Sequence, residues 1–343
     1  MRSYRLALIG FGTVNKGLVE ILRKHNLFLA DTYGARYSIV GVCGLKKGSI
    51  YDPEGLKIDE LLKAARSGDN LETINAPQRG WDVDTLITNS EADIIVEATY
   101  TDYHSGQPAT GYIRRALECG KHVVTTNKGP IALHYQDLAA LARKNNLYLG
   151  LEGTVMSGSP AIHLGREVLK SAVIYKIEGI LNGTTNYILT QMEHGVDYPT
   201  ALGEAQRKGY AEADPSGDVD GWDAAGKVAI LSSLIFNHPI AIEAVERTGI
   251  SGLTLQDIQK AQQAGERWKL VGCLEPKNGG FSARVAPLRL SLSHPLANVS
   301  GAGNAISYYT RILGQVTLSG PGAGKQETGF AILSDLLAIH ASF

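Results

Sequence analysis

Five carboxylates and one lysine crowd the stretch from Gly209 to Lys227, G-Y-A-E-A-D-P-S-G-D-V-D-G-W-D-A-A-G-K. Glu212, Asp214, Asp218, Asp220 and Asp223 stand in a segment broken by glycine and proline, and Lys227 begins an apolar helical run. Two readings compete. Carboxylates beside a buried helix suit a small cationic ligand such as an ammonium group. Acidic Gly/Pro loops also lead into ordinary helices, with Asp220 as the N-cap and the helix dipole favouring negative charge in the first turn. Asp223 and Lys227 are four apart, so they share a helix face on which the carboxylate would orient the lysine. A second lysine, Lys128, ends the run V-V-T-T-N-K-G, where a strand's carboxyl end meets a ligand; a lysine there contacts an anion or moves a proton. In N-G-T-T-N-Y-I-L, Gly183 and Thr184 open a helix. Its N–H groups would receive a carboxylate, or Asn and Thr would simply cap it. An acidic cluster, a carboxylate receiver and two lysines together fit a small amino acid that carries a hydroxyl.

The elements that must hold these groups begin with a short apolar run, Tyr4 to Ile9, which enters G-F-G-T-V-N-K-G and then a helical pattern from Leu18 to Lys24. Strand, glycine turn and helix in that order form a dinucleotide-binding unit. Gly10 allows the tight turn, and Gly12 lets the backbone approach a pyrophosphate at the helix N-terminus. Asn15 replaces the third glycine and Gly17 follows two residues later, so helix and strand are expected to pack less closely. Further apolar runs at 37–43, 93–98, 122–125 and 147–151 alternate with helical stretches at 58–65, 106–118 and 135–144, which predicts a mostly parallel sheet covered on both faces. After the second strand comes C-G-L-K-K-G, with Lys46 and Lys47 and no acid before Asp52. Two cations in place of the usual ribose-binding acid favour a 2′-phosphate, hence NADP over NAD; the alternative is a pair of ordinary loop charges. Glu152–Pro160, E-G-T-V-M-S-G-S-P, marks the expected seam between a dinucleotide-binding domain at 1–151 and a substrate domain at 152–319. It is either a hinge or a carbonyl-lined site for a monovalent cation. Beyond it the pattern predicts a helix at 161–169, strands at 174–181, 280–292 and 313–318, and a last helix at 329–340. That last helix lies in a segment, about 320–343, that returns to the first domain. The fold class is α/β, a Rossmann-type nucleotide-binding domain joined to an α+β substrate domain.

Composition narrows the function classes. With 343 residues, 44% hydrophobic, 20% charged and a net charge of −1, the chain reads as a soluble protein of about two domains. A near-neutral balance argues against a nucleic-acid or anionic-membrane partner. No apolar run approaches the roughly 20 residues of a membrane span, and a first strand at Tyr4 leaves no room for a signal peptide. Cys43, Cys119 and Cys273 are scattered, as expected of reduced thiols in a cytoplasmic protein. The histidines show no ligand spacing, so no transition metal is expected.

Six motifs taken in order resemble the homoserine dehydrogenase family across nearly the whole chain: G-F-G-T-V, H-V-V-T-T-N-K-G, E-G-T-V-M-S-G-S-P, G-I-L-N-G-T-T-N-Y-I-L, the Gly209–Lys227 stretch, and G-P-G-A-G-K-Q-E-T. The resemblance implies reversible oxidation of L-homoserine to L-aspartate 4-semialdehyde with NAD(P), in the branch of metabolism leading to threonine, methionine and isoleucine. It makes Lys128 and Lys227 the lysines of the active centre, with Lys227 favoured for proton transfer. Glu212 and Asp223 would hold the substrate amino group, with Asp218 as a further acid and Gly183, Thr184 and Tyr210 as substrate contacts. The cofactor would meet Gly10, Phe11, Gly12, Thr13, Val14, Lys46, Lys47, Thr99, Lys128 and Gly324. A sodium ion would lie at Glu152, Val155, Ser157 and Ser159, mainly on backbone carbonyls, and the enzyme would be a homodimer through its second domain. The chain resembles the short form, so no threonine inhibition through an appended domain is expected. Aspartate-semialdehyde dehydrogenase is disfavoured because no cysteine stands in a glycine-rich catalytic turn. Another amino-acid dehydrogenase, or a dinucleotide-sensing protein without activity, would not need both lysines and the acids.

Overall fold

The computed structural model describes residues 1–277 and 280–343, which form two compact units. Unit one is Met1–Gly158 with Gly324–Phe343, and unit two is Ser159–Ala323. The first unit runs β1 Arg2–Ile9, α1 Thr13–Tyr33, β2 Ala35–Gly44, β3 Gly48–Tyr51, α2 Ile58–Ser67, β4 Gln78–Arg79, α3 Val83–Asn89, β5 Ile94–Glu97, α4 Ala109–Glu118, β6 His122–Thr125, α5 Lys128–Lys144 and β7 Leu149–Gly150. The second runs α6 Ala161–His163, β8 Ile174–Ile180, α7 Gly183–Glu193, α8 Tyr198–Arg207, α9 Ser216–Val219, α10 Trp222–Ile235, β9 Glu246–Arg247, α11 Leu255–Gln263, β10 Glu266–Lys277, β11 Gly280–Ser291, β12 Gly303–Thr310 and β13 Gly314–Pro321. The last helix, α12 Lys325–Ser342, belongs to unit one.

Period-two alternation along β1 builds both cores of unit one. Leu6 and Leu8 face a cluster with Leu18 and Leu22 of α1 and with Ile332 and Leu336 of α12, while Ala7 and Ile9 face one with Ile113 of α4 and Leu138 of α5. A central strand buried on both faces must be apolar throughout, which is why this run reads as continuous rather than alternating. The sheet order among the described residues is β4-β3-β2-β1-β5-β6-β7, parallel from β2 to β7 and closed at one edge by antiparallel β3 and β4. Unit two has the order β13-β12-β8-β10-β11-β9, antiparallel apart from the short β11–β9 pair.

Asn15, which stands where the third glycine would, is fully buried, and its amide donates to the Gly10 carbonyl at 2.6 Å, tying the start of α1 back to the turn. Gly17 serves a different neighbour, since a Cβ there would lie 2.0 Å from the Lys325 carbonyl of α12, and one at Gly329 would lie 2.7 Å from the Gly17 backbone. The glycines let two helices touch, and Tyr37 Oη donating to the Leu336 carbonyl at 3.0 Å pins the same helix to β2. In unit two the expected helix at 161–169 is broken into α6, a π-turn at Leu164–Val168 and a short 3₁₀ turn. Tyr308 explains the break: its hydroxyl takes the Ala161 carbonyl at 2.7 Å, and its ring occupies the space beside Gly165.

The α1–α12 contact yields a stability prediction. Gly17→Ala must push a backbone carbonyl aside, and overpacking of this kind costs about 1–3 kcal/mol. Gly12→Ala puts its methyl into open space and, at an ordinary negative φ, should cost at most about 0.5 kcal/mol. Thermal melts of the two variants check this; equal melting temperatures would remove the close-packing argument.

Candidate active site

In unit one the carboxyl ends of the parallel strands border a cavity of about 750 Å³ lined by Gly10, Phe11, Gly12, Lys46, Lys47 and Thr99, among others. Gly10 has φ +84°, and a Cβ there would strike the Ala98 carbonyl at 2.5 Å, so the protein itself requires this glycine. Gly12 differs. It caps α1 without a side-chain bond, and a Cβ placed on it would meet nothing within 4 Å, so the space above the helix N-terminus is left for a ligand. Open N–H groups and the dipole at that end favour an anion. Thr13 is the first residue of α1, and Val14 packs against the core beneath it. Lys46 is exposed and Lys47 half-buried at the rim. The sequence showed no acid here, but the structure brings one: Glu72, from a one-turn helix at Leu71–Thr73, lines the same cavity.

A buried carboxylate ties together the strand ends that lead to Lys128. Glu97, fully buried at the end of β5, accepts from Thr125 Oγ1 at 2.7 Å and from the Thr99 N–H at 2.8 Å. Asn127 caps α5, accepting from the Gly129 N–H, and its amide donates to the Tyr100 carbonyl at 2.8 Å. Lys128 is therefore the first residue of α5 and is half-buried, held by a cap that is itself held. Gly324 caps α12 at φ +144°, a conformation that only glycine adopts readily. Glu152 is buried, and its N–H donates to Asp335 at 3.0 Å. Met156 and Ser157 are both left-handed, at φ +59° and +52°, so the chain turns tightly after the buried Val155. Ser157 Oγ bonds Thr328 Oγ1 at 2.6 Å.

In unit two, α7 and α10 bring part of the acidic stretch together. Lys227 is buried, and its Nζ donates to Asp223 Oδ2 at 2.6 Å and to the Leu181 carbonyl at 2.6 Å. Asn182 caps α7 by accepting from the Thr185 N–H, while its amide donates to Asp218 Oδ1 at 2.6 Å and to Asp223 Oδ2 at 2.9 Å. One side chain thus fixes both carboxylates and the helix that follows. Desolvation raises the Asp218 carboxyl above its ordinary value; the Asn182 hydrogen bond opposes that, the Asp223 charge adds to it, and the Lys227 charge opposes it. Breaking a buried charge pair such as Lys227–Asp223 costs about 3–5 kcal/mol.

Other predicted members are placed differently. Glu212 is exposed and bonds none of Asp218, Asp223 or Lys227 through its side chain. Thr184 Oγ1 donates to the Tyr210 carbonyl at 2.7 Å, so that hydroxyl locks the loop to the helix, and the Tyr210 ring lies 5.0 Å from that of Tyr187. Asp220 is not an N-cap: it closes α9, and α10 is capped by Gly221 at φ +84°, because the chain reverses between two helices there. Asp214 accepts from the Ser216 N–H in a local turn. Ser159 Oγ donates to the Pro321 carbonyl at 3.2 Å. Asn182 was missed because its value lies in reaching two carboxylates far along the chain. Its only local signal was an Asn before a helix.

Residues 160–337 match the family model for homoserine dehydrogenase, and residues 10–152 match that for the homoserine dehydrogenase NAD binding domain. The chain is 46% identical to the NAD(+)-dependent homoserine dehydrogenase of Pseudomonas canavaninivorans, with 100% of this chain and 97% of the relative covered. It is 37% identical to the homoserine dehydrogenase of Methanocaldococcus jannaschii, covering 98% of each. Among solved structures, a homoserine dehydrogenase from Thiobacillus denitrificans superposes with a TM-score of 0.85 at 32% identity, over 99% of this chain and 73% of that one. A hyperthermophilic archaeal homoserine dehydrogenase mutant in complex with NADPH superposes with a TM-score of 0.86 at 31% identity, over 100% and 99%. Glycine turn, lysines and half-buried acid–amide cluster thus lie on a chain that belongs to the homoserine dehydrogenase family, oxidoreductases acting on a CH–OH group with a nicotinamide cofactor.

Proposed function

We propose that the Lys227–Asp223–Asn182–Asp218 cluster is where this chain handles the proton and the amino group of L-homoserine as it is interconverted with L-aspartate 4-semialdehyde. The observation that carries the reading is Lys227, buried and held by two oxygens in a unit whose helix α7 presents its N-terminus at Gly183 and Thr184. The substrate carboxylate suits those N–H groups, and Asp218 and Asp223, with Glu212 from the loop, suit its ammonium. Tyr210 would close over the substrate. When bound, the nicotinamide dinucleotide supplies the hydride acceptor. Lys227 enters the oxidation as the neutral amine, takes the hydroxyl proton as the carbinol C–H is broken, and as the ammonium returns it to the alkoxide in the reverse direction. Lys128 stabilises the negative charge on that oxygen. The open space over Gly12 fits a pyrophosphate, and Lys46 and Lys47 favour a 2′-phosphate, so NADP is read as the preferred cofactor with NAD as the other. Thr99 and Gly324 complete the cofactor contacts in this reading.

The remaining assignments rest on the family. The reaction serves threonine, methionine and isoleucine synthesis in the cytoplasm, and no helix among the described residues is long and apolar enough to cross a membrane. No group of three or more His, Cys, Asp or Glu side chains suited to a metal occurs among the described residues. A sodium ion at Glu152, Val155, Ser157 and Ser159 would depend chiefly on backbone carbonyls, and the tight left-handed turn at 156–157 supports that choice. Unit two would form the homodimer. Light scattering that returns the monomer mass sinks the dimer, and an unchanged melting temperature when choline replaces sodium sinks the cation.

Homoserine-dependent absorbance of the reduced nicotinamide tests the activity. Lys227→Ala should lower kcat by roughly 10²–10⁴ and Lys128→Ala by roughly 10²–10³, each with the fold intact by circular dichroism; near-normal kcat in either rules out its role. Asp218 must be ionised to hold an ammonium, and its raised carboxyl means that kcat/KM for homoserine begins to fall, on acidification, above the ordinary aspartate range. Asn182→Ala removes a hydrogen bond that favours the ionised form, so the acid limb moves to still higher pH. It also removes a cap worth about 0.5–2 kcal/mol. A pH profile that keeps its acid limb in this variant contradicts the assignment.

A further inference from the structure

The cavity of unit one contains a carboxylate that no strand end supplies. In a dinucleotide-binding domain the acid that receives the adenosine ribose hydroxyls commonly follows the second strand. After β2 this chain has Leu45, 86% exposed, then Lys46 and Lys47. Glu72 reaches the same end of β2 from a separate segment. Two hydrogen bonds fasten that segment to the β2–β3 hairpin: the Leu71 N–H donates to the Lys47 carbonyl at 2.7 Å, and the Ser49 N–H donates to Glu72 Oε1 at 3.2 Å. Gly48, at φ +75°, makes room for the contact, because a Cβ there would lie 2.5 Å from Glu72 Oε1 and from Asn70 Oδ1. Among the described residues, Glu72 forms no ion pair with either lysine, and its second carboxylate oxygen accepts no hydrogen bond. Asp82, the other carboxylate on the cavity wall, is committed to capping α3 through the Thr85 N–H at 2.7 Å.

We propose that Glu72 receives the 2′- and 3′-hydroxyls of the adenosine ribose and opposes Lys46 and Lys47, so that cofactor choice is set by one carboxylate against two lysines. The proposal rests on the reading that this cavity holds a nicotinamide dinucleotide. A carboxylate only accepts hydrogen bonds, which matches a diol that donates two and repels a phosphate that donates none. The lysines have the opposite preference. Placing both on one wall gives an enzyme that turns over with NAD as well as NADP, and Glu72 is the group that keeps NAD competitive.

Glu72→Gln tests this in the full chain, because the amide oxygen still accepts from the Ser49 N–H while the charge is gone. With saturating homoserine, kcat/KM for NAD should fall roughly tenfold or more while that for NADP holds or rises, with kcat little changed. The Lys46→Ala/Lys47→Ala double variant should move the ratio the other way. A ratio within about twofold of the unaltered chain, or an equal loss with both cofactors, overturns the proposal; an equal loss is what a purely structural role predicts. Fluorescence titration with NAD and with NADP alone reads the same ratio without turnover. If the unaltered chain binds both but does not oxidise homoserine, the activity has failed and the titration still decides Glu72. If it binds neither, the proposal falls with its premise.

Discussion

Asn182 has one amide, and the chemistry of unit two depends on how that amide is shared. Two carboxylates and an ammonium are removed from water within a few ångströms of one another, and each loses hydration that something must replace. The Asn182 N–H₂ group is divided between Asp218 and Asp223, its carbonyl closes the start of α7, and the Leu181 carbonyl next to it receives Lys227. Like charges are kept at a fixed separation by a neutral donor, so Asp218 needs no permanent cation of its own, while Asp223 is shared between the amide and Lys227. An acid held by an amide remains available to an incoming ammonium, whereas one locked to an arginine would be spent.

Unit one solves a related problem with Glu97. A fully buried carboxylate at the end of β5 gathers donors from the loop after it and from β6, and so draws the strand ends into one rigid rim. Lys128 and the glycine turn stand on that rim. The two glycines of the turn have different causes: Gly10 is demanded by the neighbouring strand, and Gly12 by nothing in the protein. At a helix N-terminus on the cavity wall, a glycine without an internal reason leaves room for an anion to come close.

Much of this was legible in the sequence because it is local. The β1–turn–α1 unit, the alternation of strands and helices, and the i to i+4 spacing of Asp223 and Lys227 are all written in neighbouring residues. Departures arose where distant residues meet. Gly17 could not be interpreted without α12, the helix at 161–169 could not be seen to break without Tyr308, and Glu72 is brought to the hairpin by a turn far from it. The acidic stretch shows both cases within a few residues. Asp218 and Asp223 turn inward to Asn182, Glu212 stays in water, and Asp220 is spent on a helix end.

The helix α12 has a consequence for how the protein is made. Ile332, Leu333, Leu336 and Ile339 belong to the same core as Leu6, Leu8 and Leu18. Synthesis therefore delivers the first strand early and its helical partner only after every residue of unit two has emerged. Chains commonly fold from the N-terminus as domains are released, but here one apolar face of the nascent sheet must wait, exposed, for a stretch translated after the whole of the other unit. The last strand of unit two, β13, ends only just before α12 begins, so the first unit to be started is completed no earlier than the second.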